Sequence, residues 1–269
     1  MNTLAYIIVF LFGNIIGSFL NVVIYRFNSG KTLGGRSICM SCAKKLSWYE
    51  LIPVFSFLIQ KGKCKGCASK ISHQYPMVEI VTGIVFTLLA YHFLPILALS
   101  NTVFLSLLIF YAFIFSILIV ISVYDIRHKI IPDKLSYALA FLSFVSLFVN
   151  TTGIGNLFMM PNLLDISAGP LFAMVFAMVW VFSKGKLMGL GDAKLALGLG
   201  WMLGISGGFA FVTLSFWIGA IFGILMLLFS GKKVGMKTEI PFAPFMILGA
   251  LIVFLCNLDF MSLAKIFSF

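Results

Sequence analysis

Acidic side chains are scarce in this chain: eight Asp and Glu among 269 residues, against nineteen Lys and Arg. Charged residues make up 10% of the sequence, whereas apolar residues make up 61% and phenylalanine alone occurs thirty times. So little charge excludes a soluble domain of this length and implies a polytopic membrane protein. The three histidines, His73, His92 and His128, form no H-E-x-x-H motif, which removes the common zinc-protease arrangement. No Ser or Cys stands in a recognisable nucleophile elbow, and no G-x-G-x-x-G follows a strand pattern. No Lys or Arg precedes the first apolar run, so that run lacks the basic start of a cleaved signal peptide and reads as a retained span.

What is present is a series of apolar runs near the ~20 residues a helix needs to cross hydrocarbon. They fall at 3–24, 77–99, 101–124, 135–151, 166–183, 193–208, 209–229 and 243–257, so the expected fold is all-α with about eight transmembrane helices. The run at 193–208 is short and glycine-rich, is joined to its neighbour through Gly207-Gly208, and also reads as a re-entrant segment. With eight spans and residues 25–76 in the cytoplasm, nine Lys and Arg lie in that loop and three each at 127–134, 184–194 and 232–237. Only Lys265 then lies outside. Both termini are expected to face outward, and the basic rim suits anionic lipid headgroups, so the charge of +11 needs no nucleic acid. The expected division is 1–24 as the first span, 25–76 as a small cytoplasmic domain, and 77–269 as the remaining membrane domain.

The loop between the first two spans holds Cys39-Met40-Ser41-Cys42 and Cys64-Lys65-Gly66-Cys67. Each C-x-x-C lets two thiolates meet one ion from a tight turn, and two such pairs complete a tetrahedral, zinc-ribbon-like site. A reducing compartment disfavours structural disulfides there, and a redox pair or disulfides are the alternatives to zinc. Four thiolates leave no open coordination position, so the predicted zinc is structural. Cys256, alone in the last run, reads as packing. Trp48, Tyr49, Glu50, Pro53, Tyr75, Pro76 and Glu79 mix aromatics and acids beside this site. They read either as a pocket or, singly, as interfacial anchors with Glu50 balancing nearby lysines.

Two of the few carboxylates sit where apolar runs meet basic turns: Asp125 in Tyr124-Asp125-Ile126-Arg127, and Asp192 in Gly189-Leu190-Gly191-Asp192. If they meet in space, like-charge repulsion leaves one proton shared between them, giving one acid and one base for activating water. Carboxylates at membrane depth also mark ion or proton pathways, so a carrier is a competing reading. A noncatalytic assembly platform built on the cysteine loop is another.

The motifs resemble those of the bacterial type IV prepilin peptidases. Gly17-Ser18-Phe19-Leu20-Asn21, the two C-x-x-C pairs, Trp48-Tyr49-Glu50 and Tyr75-Pro76 with Val78-Glu79 are similar to the family's amino-terminal half. Tyr124-Asp125, Ile131-Pro132-Asp133, Gly189-Leu190-Gly191-Asp192 and Ile240-Pro241-Phe242-Ala243-Pro244-Phe245 are similar to its second half, and the Gly-x-Gly-Asp element to the wider class of intramembrane-type aspartyl proteases. The resemblance implies an inner-membrane enzyme that cuts the leader from prepilins and pseudopilins after a glycine, at the cytoplasmic face. It also implies methylation of the new amino terminus with S-adenosylmethionine, and it makes Asp125 and Asp192 the catalytic dyad. Departures are Met40 where Pro is frequent, Gln74 where Arg is usual, and Ala243 in place of a glycine. That methyl group would matter only at positive φ or against substrate.

Further expectations follow for the neighbouring residues. Gly189 and Gly191 would let a substrate backbone approach, and Pro241 and Pro244 around Phe242 would shape a substrate rim. Asn14, Gly17, Ser18 and Asn21 read first as helix packing, and Lys194 as a headgroup anchor. His128 reads as a solvated or lipid-facing side chain. Residues 34–37 are too generic for a cofactor loop. The cysteine-bearing loop is the expected place for methyl transfer, with Glu50 positioning the amine.

Overall fold

The computed structural model describes residues 2–30, 32, 34–149, 158–229 and 240–267. Among these the chain is helical and has no strand. The helices are α1 (Thr3–Arg26), α2 (Phe55–Ile59), α3 (Gln74–His92), α4 (Leu94–Leu97), α5 (Asn101–His128), α6 (Asp133–Ser146), α7 (Leu163–Ser183), α8 (Leu190–Phe229), α9 (Ala243–Cys256) and α10 (Phe260–Phe267). Five of them, α1, α3, α5, α7 and α8, are long and apolar enough to cross a membrane. The run expected at 135–151 ends as helix at Ser146, and residues 150 and 151 lie outside the described residues, as does the basic cluster 232–237.

The chain divides into two compact units, Met1–Val120 and Ile121–Phe269. In the first, α1 packs along α3. Small residues permit this: a Cβ at Gly13 would lie 2.7 Å from the Gly83 Cα, and one at Gly17 would lie 2.7 Å from the Glu79 Cα. This small-xxx-small spacing brings two backbones close enough for van der Waals contact to hold them in lipid. Asn14 and Asn21 are buried at the same seam, as expected for packing residues. Leu89, Phe93, Leu107, Ile114 and Leu118 fill the unit's core.

In the second unit α8 packs against α6, α7 and α9, around Leu139, Phe172, Phe176, Leu199, Phe211 and Met246. Phe141, Leu164, Val181 and Leu228 stay exposed, as side chains that meet lipid do. Forty residues of unbroken helix would run about 60 Å, and α8 is broken at Gly204, whose φ of 67° and ψ of −173° are not helical. Asp165 of α7 fixes the break by accepting the Ile205 N–H at 3.4 Å on Oδ1. The sequence suggested a joint at Gly207-Gly208; both residues lie inside the second helical half, with Gly208 pressed against Phe172. The segment before the break is a buried helix, with Leu195, Ala196 and Leu199 fully enclosed.

Candidate active site and metal centre

Asp125 lies in the last turn of α5 and Asp192 in the first turn of α8, both within the second unit and 5% and 7% exposed. The two carboxylates are within electrostatic reach of each other. Each is held by one backbone donor. The Gly189 N–H donates to Asp192 Oδ2 at 3.1 Å, the reach-back of a side chain in the first turn to the residue that caps its own helix. The Ala243 N–H donates to Asp125 Oδ2 at 3.3 Å. Ala243 opens α9, where an amide has no partner inside the helix and the helix dipole favours an anion.

Ala243 was singled out in the sequence only as a departure, and its donor role went unread. The available signal was Pro244, which sits at the start of a helix and cannot itself supply a hydrogen there. Ala243 is fully buried and has no positive φ, so its methyl group is accommodated without backbone strain.

The turn before α6 docks beside Asp192. A Cβ at Gly191 would come within 2.9 Å of the Ile131 Cβ, so the close approach allowed there is to Ile131. Gly189 is exposed, and a Cβ on it would find its nearest neighbour 3.7 Å away. Lys194, expected as a headgroup anchor, has its Nζ 2.7 Å from Asp133 Oδ1 and 5.5 Å from the Tyr137 ring centre. A short ion pair over an aromatic ring satisfies the ammonium better than lipid alone. Phe242 is half-buried in a cluster with Phe176, Phe216 and Phe245. Pro241 and Pro244 flank it, both partly exposed. His128 is exposed and lies against Tyr124, 4.4 Å between ring centres.

The cysteines assemble in the first unit from two copies of one turn. In Cys39-Met40-Ser41-Cys42-Ala43 the Cys39 N–H donates to the Lys44 carbonyl and the Ala43 N–H to the Cys39 carbonyl. In Cys64-Lys65-Gly66-Cys67-Ala68 the Cys64 N–H donates to Ser69 and the Ala68 N–H to Cys64. Each turn is closed by one antiparallel bridge, Ile38 with Lys45 and Lys63 with Lys70. Each also places its alanine in the left-handed region, φ 55° at Ala43 and 57° at Ala68. The four Sγ atoms lie within 4.8 Å of one another and could hold a metal ion. A tetrahedral site with metal–sulfur bonds near 2.3 Å has edges of about 3.8 Å, and Cys39 and Cys67 are 3.9 Å apart. The backbone N–H groups of Cys42 and Ser41 pull the Cys39 thiol down to about 6. The Ser69 hydroxyl and N–H lower Cys67, whereas, against the Lys44 N–H, the crowded Cys67 and Cys39 thiols help push Cys42 up to about 11, so without an ion the charge is shared unevenly among the four sulfurs. Cys256 is exposed on α9 and outside this cluster.

Glu50 lies beside the cysteine cluster in a 3-10 turn, Trp48–Leu51. Its carboxylate accepts the Ser47 N–H at 2.8 Å and the Lys44 ammonium at 3.2 Å, in that order the causes holding its carboxyl below the usual range. Trp48 is 78% exposed, as an interfacial anchor would be, whereas Tyr75 stacks on Tyr25 with ring centres 5.0 Å apart. Between this loop and the ends of α1 and α3 lies a cavity of about 760 Å³, lined among others by Asn21, Tyr25, Glu50, Tyr75 and Glu79.

Residues 11–93 match the model of the bacterial Peptidase A24 N-terminal domain, and residues 112–224 that of the Type IV leader peptidase family. The chain is 33% identical to a prepilin leader peptidase/N-methyltransferase of Bacillus subtilis (strain 168), over 92% of this chain and 93% of that protein. It is 32% identical to the protein of the same name from Xanthomonas campestris pv. campestris, covering 80% and 70% of the two chains. With the one from Vibrio cholerae serotype O1 it shares 30%, covering 89% and 92%. No solved structure matches.

Proposed function

The chain belongs to the type IV leader peptidase family, and from that premise we propose that Asp125 and Asp192 are the dyad with which it cuts the leader from prepilins and pseudopilins. The reading rests on one arrangement: two buried carboxylates within electrostatic reach of each other, each bound through one oxygen to a backbone N–H. The other oxygens are left for water and for the scissile carbonyl. One ionised carboxylate takes a proton from water while its protonated neighbour donates to the carbonyl oxygen, an acyl hydrolysis that needs no metal. The fixed N–H donors select which oxygen of each aspartate stays out of the reaction. An ion carrier would need no such family kinship, and that reading is not favoured.

A prepilin helix lies in the bilayer with its cleavage point at headgroup level beside the dyad, at the cytoplasmic face that the segregation of 18 of 19 basic residues assigns to the loops. Gly189, Gly191, Pro241, Phe242 and Pro244 border the dyad as the substrate rim, with Gly191 contributing by holding Asp192 against Ile131. The four cysteines hold a structural zinc, which fits four sulfur donors in two rigid turns.

The protein also methylates the amino terminus it exposes. S-adenosylmethionine would supply a methyl carbon to the amine lone pair, its carbon–sulfur bonding electrons staying on sulfur and the amine proton passing to a base. Glu50, fixed by Ser47 and Lys44, orients the amine. Incubating purified protein with a membrane-embedded prepilin tests both activities. The expected result is cleavage that disappears in Asp125→Ala and Asp192→Ala, with a 14 Da increment on the product when the methyl donor is added. Undiminished cleavage by both variants overturns the dyad.

A further inference from the structure

We propose that the cavity between the cysteine turns and the ends of α1 and α3 is the S-adenosylmethionine pocket, with Glu79 facing a cationic centre of the methyl donor. This deepens the methyl-transfer reading and depends on it. At about 760 Å³ the cavity lies within the ~300–1,000 Å³ of ordinary small-molecule sites. Its lining combines the stacked Tyr25–Tyr75 pair, two buried carboxylates and the guanidinium end of α1 at Arg26. The methyl donor presents matching chemistry: a flat base, a sulfonium, an ammonium and a carboxylate.

The two carboxylates differ in what they already hold. Glu50 is matched by Lys44 at 3.2 Å. Glu79, 6% exposed, accepts the Val54 N–H at 2.7 Å and the Ser18 hydroxyl, and among the described residues no cation pairs with it. A buried carboxylate with neutral donors alone has a strong claim on an incoming cation. The same contact helps hold Val54, a β-branched residue, at a φ of 62°, a conformation that persists only where its surroundings fix it.

An independent observation points to the same space. Asn21 lines the cavity and is 1% exposed; its Nδ2 donates to the Tyr75 carbonyl at 3.1 Å, while its Oδ1 has no partner. Buried acceptors are rarely left unpaired in finished structures.

The test uses the full chain in lipid nanodiscs with tritiated S-adenosylmethionine, by equilibrium dialysis and by ultraviolet cross-linking with peptide mapping. The label is expected within residues 18–79, displaced by S-adenosylhomocysteine. Glu79→Gln keeps the shape and the Val54 acceptor but removes the charge, and is expected to weaken binding about tenfold or more. Val22 also lines the cavity, and Val22→Trp, which fills it and leaves both carboxylates in the sequence, is expected to abolish binding. Retained metal in both variants shows that the cysteine turns still stand. Label mapping to 121–269, or binding within about twofold of wild type in both variants, overturns the pocket. Donor binding elsewhere with methylated product refutes the pocket and leaves methyl transfer intact, whereas neither binding nor methylation removes both. Displacement of the donor by a free prepilin-like amino-terminal peptide, without S-adenosylhomocysteine competition, would give Glu79 to the amine and also overturn the assignment.

Discussion

Ala243 holds Asp125 through its backbone and not its side chain, the N–H reaching Oδ2 at 3.3 Å from the opening turn of α9. Any residue but proline can offer that amide, so position 243 is constrained by volume alone. Ala243→Gly keeps the donor and is expected to leave prepilin cleavage within about twofold. Ala243→Leu forces a larger side chain into a fully enclosed site and should cost about 1–3 kcal/mol. Thermal unfolding in detergent and initial cleavage rates separate the two outcomes; a loss of cleavage in the glycine variant would refute the backbone role.

Removing either carboxylate should be as harmful as removing both. Asp125→Asn and Asp192→Asn are each expected to lower kcat by roughly 10³-fold or more, and the double variant by little beyond that, because residues acting as one unit are not additive. Single-turnover cleavage of a prepilin in nanodiscs checks this. A double variant far slower than either single one would mean that the two act independently.

Gly189 and Gly191 look alike in sequence but should respond differently. Gly191→Ala drives a methyl group to 2.9 Å from the Ile131 Cβ and must displace the turn carrying Asp192, whereas Gly189→Ala meets nothing closer than 3.7 Å. The expectation is at least a tenfold fall in kcat for Gly191→Ala, about 1.4 kcal/mol in barrier, and a change under threefold for Gly189→Ala. Equal effects would mean that substrate approach, not Ile131, sets the demand for glycine.

Metal retention should track the alanines that follow each cysteine pair. Ala43 and Ala68 hold left-handed backbone that glycine adopts without a Cβ penalty. Ala43→Gly and Ala68→Gly should therefore slow metal loss to a chelator, by about 0.5–1 kcal/mol each. Any single Cys→Ser change among positions 39, 42, 64 and 67 should reduce bound metal well below one equivalent. Plasma emission analysis of purified protein reads both; full retention after a Cys→Ser change would exclude that cysteine as a ligand.

Glu50 predicts an acid sensitivity of defined sign. Its folded carboxyl titrates below the usual range because the Ser47 N–H and Lys44 favour the charged form. Its stabilisation is therefore present above the ordinary glutamate range and is lost as pH falls through the lowered folded value. Wild type should unfold at a higher temperature than Glu50→Gln near neutral pH, and the gap should close in strong acid. A gap that widens on acidification would reverse the assignment.

Much of the helical architecture could be read from the chain because apolar length is a local property. Each of the eight runs overlaps a helix, although the run at 193–208 crosses the break in α8, the run at 135–151 overlaps a helix that ends at Ser146, and α4 completes the run at 77–99. The paired C-x-x-C spacing likewise led directly to four converging sulfurs. What escaped depended on partners distant in sequence. The break in α8 lies at Gly204 and not at the adjacent glycine pair, because Asp165, forty positions earlier, is there to receive Ile205. Lys194 pairs with Asp133 across sixty-one positions, and Ala243 with Asp125 across one hundred and eighteen. No local pattern carries such information; for Ala243, the proline beside it was the nearest hint.

The break at Gly204 leaves a first half of α8 covering 190–203, as short as α6 and α9, each fourteen residues long. All three begin around the two aspartates, through Ile131 with Gly191, Asp133 with Lys194, and Ala243 with Asp125. Fourteen residues reach about 21 Å, against a hydrocarbon thickness of about 30 Å. The first half of α8 is enclosed by its neighbours, so the mismatch falls on α6 and α9, beside which a bilayer is expected to thin. Thinning there would shorten the path of water from the aqueous phase to Asp125 and Asp192, the reagent and the carboxylates meeting at the starts of the short helices.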